Sequence, residues 1–330
     1  MNRSHVTSST CPAAPPGPTD LRCLSVVVVA HNSQTTLPAL LDSIPAACGE
    51  LPHEVWVVDS GSTDESVTRA RAHPTSPHLL ELPENLGYGF ALNAGAAASR
   101  GTHVALANAD LELAPGCLAR LVDAVDADRT VSAAGPLLRT RDGRPARSAW
   151  GFCRLAPLVA SALGLDGRLG FDPALHWGLE PAVWPDPGGA CDVIAGALMV
   201  CRREVWERIG PFDEGYFLFW EDDDWCRRGA SLGLRACYCA EAAATHLGGA
   251  STAFRQDLDI LYLESLHRYV RKHHGRAAAV LLRGCQLAMA LFRAGKPLLA
   301  SASPPGQRGP ETGRRRLEWL LGRARVAAPR

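Results

Sequence analysis

The sequence predicts an α/β fold: a mostly parallel sheet flanked by helices, with a helical extension at the C-terminal end. Two observations carry that expectation. Short β-branched and aliphatic runs alternate with segments of helical periodicity between residues 25 and 134. Repeated βαβ units read this way, with strands buried on both faces. Beyond residue 254 the strand-like runs stop, and two long helical patterns follow.

Ser25–Val29 is the first predicted strand, and Leu37, Leu40, Leu41 and Ile44 mark the helix after it by their spacing on one helical face. Glu54–Val58 is the second strand, Thr63–Arg71 a helix opened by Ser62 or Thr63, Leu79–Leu82 a strand and Tyr88–Ser99 a helix. His103–Ala107 and Val131–Ala134 are strands on either side of a helix over Pro115–Val125, whose proline suits a first helical turn. Residues 139–190 are rich in Pro, Gly, Arg and Trp, the composition of long functional loops. Order resumes with Val193–Val200, a helix near Glu204–Ile209, another over Asp223–Leu232, and a strand along which Cys237 and Cys239 alternate. Leu258–His273 and Ala277–Ala294 are the last two helices. The expected organisation is a disordered N-terminus over 1–20, one α/β domain over 21–254, a helical extension over 255–300, and a linker with a frayed basic tail over 301–330.

Lys and Arg balance Asp and Glu at 34 each, but unevenly along the chain. Residues 255–330 hold 15 basic against 5 acidic residues, which leaves 19 against 29 in residues 1–254. An acidic main domain repels nucleic acid, so no nucleic-acid partner is expected. Eleven scattered cysteines without a C-x-x-C pair suit reduced thiols and a cytoplasmic location. The polar, proline-rich start does not read as a signal peptide. Leu24–Ala30 is too short to cross a bilayer, and residues 277–300 are interrupted by Arg283, Arg293 and Lys296.

The densest chemical signal is Glu221-Asp222-Asp223-Asp224, directly after Tyr216-Phe-Leu-Phe-Trp220. A solvated acidic face alternates with Lys or Arg, and helix capping accounts for one or two acids at most. Crowded carboxylates push at least one pKa upward, which is how a general base is tuned. Other polar groups stand where strands are predicted to end. Ala30-His31-Asn32-Ser33 follows the first strand, Asp59-Ser60-Gly61-Ser62 the second, and Asn108-Ala109-Asp110 the strand over 103–107. Open parallel sheets bind ligands beyond such ends. Taken alone, Asp59 and Asp110 read equally as helix or turn caps, and His246 as a structural histidine. One carboxylate with substrate phosphates is also a common arrangement for Mg²⁺ or Mn²⁺. The Gly87-x-Gly89 pair lacks the third glycine of a dinucleotide fingerprint.

Taken in order, Ser25-Val-Val-Val-Val-Ala-His31-Asn32, Val58-Asp59-Ser-Gly-Ser-Thr-Asp64, Asn85-x-Gly-x-Gly-x-Ala-x-Asn93-x-Gly95, Asn108-Ala-Asp110, Gly210-Pro-Phe-Asp213-Glu and Glu221-Asp222-x-Asp224 resemble glycosyltransferase family 2, particularly bacterial rhamnosyltransferase-type members. The resemblance covers roughly residues 24–250. It implies a GT-A type fold and inverting transfer of a sugar from a dTDP- or UDP-linked donor to a cell-surface glycan or lipid-linked acceptor. It implies that Asp59 reads the pyrimidine, with Ala30, His31, Asn32, Gly87, Asn93 and Asn108 around the donor nucleotide. Asp110 becomes the ligand of Mg²⁺ or Mn²⁺, and His246 a further metal or diphosphate contact. Glu221 or Asp222 becomes the base, and Gly196, Ala197 and Trp220 line the sugar and acceptor pocket. Two positions depart from the family pattern: Asn108 stands for a metal-binding acid, and His31 for a usual Tyr. A non-catalytic nucleotide-sugar binding domain and a sugar nucleotidyltransferase remain as alternatives.

For the last helix, Leu281, Cys285, Ala288 and Phe292 fall near one stripe. Packing against the catalytic domain is one reading. Docking of this basic region on the inner face of the plasma membrane is the other, and it suits a lipid-linked acceptor.

Overall fold

The computed structural model describes residues 22–165, 188–248, 258–294 and 310–322. The disorder expected over 1–20 lies outside these residues, as does the 301–309 part of the linker and tail expected over 301–330.

Alternation of β-branched residues builds the first half of the sheet. β1 (Leu24–Ala30), β2 (His53–Ser60), β3 (His78–Leu82) and β4 (His103–Asn108) run parallel in the order β3-β2-β1-β4. Within β1, Leu24, Val26, Val28 and Ala30 point to one core while Val27 points to the other. Successive strand residues face opposite sides, so a strand covered on both faces must be apolar throughout.

The core on one face takes Leu37, Leu40, Leu41 and Ile44 of α1 (Leu37–Cys48) and Leu118, Leu121, Val122 and Val125 of α4 (Cys117–Ala127). The other takes Ala91, Leu92 and Ala96 of α3 (Tyr88–Ala98), Val205, Trp206 and Ile209 of α6 (Arg203–Ile209), and Trp225 and Cys226 of α7 (Glu221–Ser231). α2 (Ser66–Arg71) connects β2 to β3. The result is a helix–sheet–helix sandwich.

The second half of the sheet is mixed. β10 (Leu198–Arg202) runs antiparallel between β4 and β6 (Val131–Thr140), and β6 pairs in parallel with β11 (Arg235–His246). β5 (Leu111–Leu113) and β8 (Gly188–Cys191) add to β11 antiparallel. β7 (Ala149–Trp150) and β9 (Val193–Ile194) form a separate two-stranded ribbon.

Several expectations need correction. The run predicted as one element over Val193–Val200 is β9 and β10, separated by a turn at Ala195–Ala197. The predicted loop over 139–190 contains β7 and α5 (Leu155–Ala162). The helix predicted from Thr63 begins at Ser66, whose N–H donates to Asp64 Oδ1 at 2.9 Å. Nine cysteines are free thiols among the described residues.

The extension is α8 (Leu258–His273), α9 (Gly275–Ala294) and α10 (Pro310–Leu320). Gly275, at φ 90°, makes the break between the first two, a conformation L side chains avoid. Leu266, Tyr269 and Val270 pack with Ala278 and Leu282 and with Tyr216 and Trp220 of the main domain. α10 occupies Pro310–Leu320 of the expected linker and frayed tail, and residues 323–330 lie outside the described residues. Arg283 donates to the carbonyls of Trp319 and Leu320 at 3.0 Å, and the Trp319 indole N–H donates to Glu264 at 2.9 Å.

α3 lies close on the sheet because Gly95 has no side chain. A Cβ there would sit 2.3 Å from Val27 Cγ1 and 2.7 Å from Val58 Cγ2. Gly95→Ala is therefore expected to lower stability by about 1–3 kcal/mol, the usual cost of overpacking, measured by urea unfolding.

Candidate active site

A cleft of about 660 Å³ opens at the C-terminal ends of β1, β2 and β4. Its lining is of two kinds. His31, Ser33, Ser60, Asn108, Asp110 and His246 are polar, whereas Trp150, Phe217, Leu218, Phe219, Trp220, Leu258 and Tyr262 are aromatic or aliphatic. Gly196, Ala197, Glu221, Asp222 and Asp223 lie in the same cleft.

The acidic run forms the first turn of α7, where the helix dipole favours negative charge. The chain enters through Phe219 and Trp220, both left-handed at φ 69° and 70°. Such a conformation costs an aromatic residue on the order of 1–3 kcal/mol and marks a segment held by its surroundings. Trp220 is buried, with its ring centroid 4.9 Å from that of Tyr269 on α8.

The four acids have four environments. Asp222, half-buried, accepts the Gly196 N–H at 2.7 Å on Oδ2 and the Asp223 N–H at 2.9 Å on Oδ1. Burial raises its pKa, and those N–H donors work in the opposite direction. Glu221 is buried with no hydrogen-bond partner at Oε2. Burial, then the Asp222 charge, pushes it well above the carboxylate range. Asp223 accepts from the Trp150 indole N–H at 3.0 Å, and burial and Asp222 likewise push it well up. Asp224 is fully buried yet ionised. Burial opposes its charge, but hydrogen bonds from His273, Lys272 and Arg228 at 2.8, 2.9 and 3.0 Å hold its pKa down.

Gly196 couples the turn between β9 and β10 to this helix. Its carbonyl accepts the Tyr88 hydroxyl at 2.7 Å while its N–H binds Asp222. A Cβ on Gly196 would stand 3.2 Å from Asp222 Oδ2, so the backbone approaches the carboxylate closely.

Asp110 and His246 meet through strand register. β5 pairs with β11 so that Leu111 lies opposite His246, and His246 Nε2 is 2.9 Å from Asp110 Oδ1. The hydrogen bond to Asp110 raises the histidine pKa, against the effect of burial. Among the described residues no cluster of three His, Cys, Asp or Glu stands ready for an ion. One carboxylate and one imidazole fit a cation that takes its remaining ligands from substrate oxygens and water.

Five predicted site residues do not line the cleft: Ala30, Asn32, Asp59, Gly87 and Asn93. Ala30 is fully buried in the sheet. Asn32, at φ 50°, accepts the Thr63 N–H at 2.9 Å and ties the β1 and β2 loops together. Asn93 grips the Phe212 backbone, accepting its N–H at 2.9 Å and donating to its carbonyl at 3.0 Å. It shapes the loop before α7. Gly87 lets that loop pass, since a Cβ would meet the Phe217 carbonyl at 2.7 Å. Asp59 is buried one residue from the cleft-lining Ser60. Its Oδ2 accepts the Ser62 N–H at 2.9 Å, and its Oδ1 has no partner.

Sequence reasoning missed Tyr88, Arg147, Trp150 and Tyr262, all of which line the cleft. Tyr88 was within reach, since it lies inside the glycine motif. Arg147 and Trp150 come from the segment read as loop.

Comparison with known proteins agrees with this architecture. The glycosyl transferase family 2 profile matches residues 25–158. The chain is 31% identical over 248 residues to the N-acetylglucosaminyl-diphospho-decaprenol L-rhamnosyltransferase of Mycobacterium tuberculosis, covering 69% of this chain and 77% of that protein. It is 37% identical over 112 residues to the undecaprenyl-phosphate 4-deoxy-4-formamido-L-arabinose transferase of Aeromonas hydrophila, covering 32% of this chain and 34% of that protein. Among solved structures it resembles GalNAc-T7 with UDP, GalNAc and Mn²⁺, at TM-score 0.59 and 17% identity, covering 92% of this chain and 56% of that one. It also resembles the mannosyltransferase PcManGT of Pyrobaculum calidifontis with GDP-Man and Mn²⁺, at TM-score 0.52 and 20% identity, covering 88% and 79%. The fold is that of GT-A transferases, and the chain belongs to glycosyltransferase family 2.

Neighbouring acids should respond unequally to substitution. Asp224→Ala strands Lys272, His273 and Arg228 without their shared acceptor and should cost about 3–5 kcal/mol. Asp222 has a folded pKa above its ordinary 3.8, so its charge costs stability as pH rises through that shifted value. Asp222→Asn removes that cost but turns an NH2 toward one of the two N–H donors, so it should destabilise by less than Asp224→Ala. Urea unfolding of both variants checks the pair.

Proposed function

We propose that the enzyme transfers a sugar, with inversion, from a nucleoside diphosphate donor to a glycan or lipid-linked acceptor, and that Asp222 is the general base. The observation that carries this reading is that Asp222 and the Asp110–His246 pair line one cleft. A base and an anion-handling site in one cavity are what single displacement at an anomeric carbon needs.

Glu221 and Asp223 are raised furthest and serve as protonated neighbours. Asp222 keeps two N–H donors on its oxygens, which support its anionic form while burial keeps it basic. The acceptor hydroxyl oxygen attacks the anomeric carbon from the face opposite the diphosphate. The C–O bond to the diphosphate breaks, its electron pair leaves with the nucleotide, and Asp222 takes the hydroxyl proton. The Gly196 and Ala197 backbone lies against the sugar, and the Trp150 and Trp220 rings receive the acceptor.

For the donor, the unpaired Oδ1 of Asp59 suits the ring N–H of a pyrimidine, in a dTDP- or UDP-linked sugar, with His31 beside it. Asp110 and His246, next to the Asn108 amide, are the residues to hold Mg²⁺ or Mn²⁺. A bound divalent cation neutralises diphosphate charge. Rhamnose as the sugar and a polyprenyl-linked acceptor rest on the mycobacterial relative. The proposed location is cytoplasmic, against the membrane that holds such an acceptor.

Asp222→Asn should lower transfer by about 10²–10⁴-fold, the usual contribution of a general base, with nucleotide affinity by calorimetry unchanged. Wild-type turnover in that variant would rule out the assigned base. The wild-type rate should rise with pH and level off above the ordinary carboxylate range, because the folded pKa of Asp222 is raised. EDTA should abolish sugar transfer in a donor screen by mass spectrometry, and Mn²⁺ or Mg²⁺ should restore it. Binding of UDP or dTDP with no donor consumed under any condition would mark a non-catalytic domain.

A further inference from the structure

The solvent face of α9 carries no charge. With 3.6 residues per turn, positions 277, 280, 281, 284, 288, 291 and 292 fall within an arc of about 120°. All seven are exposed, and they are Ala, Val, Leu, Gly, Ala, Leu and Phe. Val280 is 72% exposed, Leu281 50%, Leu291 51% and Phe292 58%. The packing reading of the Leu281–Phe292 stripe is thereby overturned, because Ala278 and Leu282, on the opposite side, are the residues buried against the domain. A water-facing helix normally reverses this pattern, with polar residues outward and apolar ones inward. Here both faces are apolar over about 30 Å of helix, at 1.5 Å per residue.

We infer that this face lies in the surface of an anionic lipid bilayer, with α9 parallel to the membrane plane. Charge identifies the occupant. Arg271 at the end of α8 and Arg276 in the first turn of α9 are exposed beside the apolar face. Residues 255–330 carry 15 basic against 5 acidic residues, whereas the rest of the chain is acidic. Apolar side chains flanked by cations match the acyl boundary and headgroups of such a membrane. α9 lies on the surface and does not cross, because its inner face already packs on α8 and α5, through Leu282 and Ala278 with Leu266, Tyr269 and Leu158. α8 also contributes Leu258 and Tyr262 to the cleft. The membrane face and the cleft therefore share one helical unit, which suits an acceptor held by a lipid. That link to the acceptor rests on the proposed function; the docking surface itself does not.

The test is co-sedimentation of the full-length chain with vesicles of phosphatidylcholine alone or with phosphatidylglycerol added. The chain should bind the anionic vesicles, and added salt should weaken that binding. The double variant Leu281→Glu/Leu291→Glu should bind at least about tenfold more weakly, because two apolar side chains no longer leave water. Both positions are exposed, so its thermal unfolding and its UDP binding should match wild type. Unchanged vesicle binding by the double variant, or no binding by the wild-type chain, would overturn the inference. So would a dimer in solution that the double variant converts to a monomer, since the occupant would then be a second copy. Vesicle binding is read without sugar transfer, so loss of one does not mimic loss of the other.

Discussion

Four carboxyl groups share the first turn of one helix, and the rest of the site is arranged around keeping them different. Like charges so close cannot all ionise in a buried place. The fold resolves this by giving each acid its own neighbours. Asp224 is turned toward α8 and neutralised by Lys272, His273 and Arg228. Asp223 is turned toward Trp150. Asp222 alone faces the Gly196 turn with two N–H donors. The left-handed pair Phe219–Trp220 sets the entry to that turn, and packing of Trp220 against Tyr269 holds it there.

Much of the sheet was legible because buried strands leave no choice of residue. The alternation in Leu24–Ala30 that serves two cores is written directly in the β-branched run. Register was not legible. That Asp110 meets His246 depends on β5, three residues long and pairing at the far end of β11. No local pattern announces so short a strand. The antiparallel insertion of β10 was hidden for a similar reason. Its sequence is as apolar as its parallel neighbours, and direction is set by the turn at Ala195–Ala197 rather than by composition.

Among the site residues, the motif order located the cleft but not each side chain's task. Asn93 and Gly87 sit in a motif expected at the nucleotide, and in the fold both meet backbone. One clamps Phe212 and the other clears Phe217. Together they fix the loop that delivers the acidic helix, so their effect on chemistry is one of position. Arg147 and Trp150 were invisible for the opposite reason, since irregular segments carry no periodicity from which a direction can be read.

The extension does more than cover apolar surface. Lys272 of α8 bridges Asp213 and Asp224 at 2.8 and 2.9 Å, and Tyr269 of the same helix supports Trp220. Leu258, at its start, and Tyr262, one turn further on, line the cleft. One helix thus fixes the buried end of the acidic turn, lines the cavity, and carries α9 on its outer side. Anything that reorients α8 must move the acidic turn and the cavity wall together. The proposed docking of the outward face of α9 therefore bears on the geometry of the site.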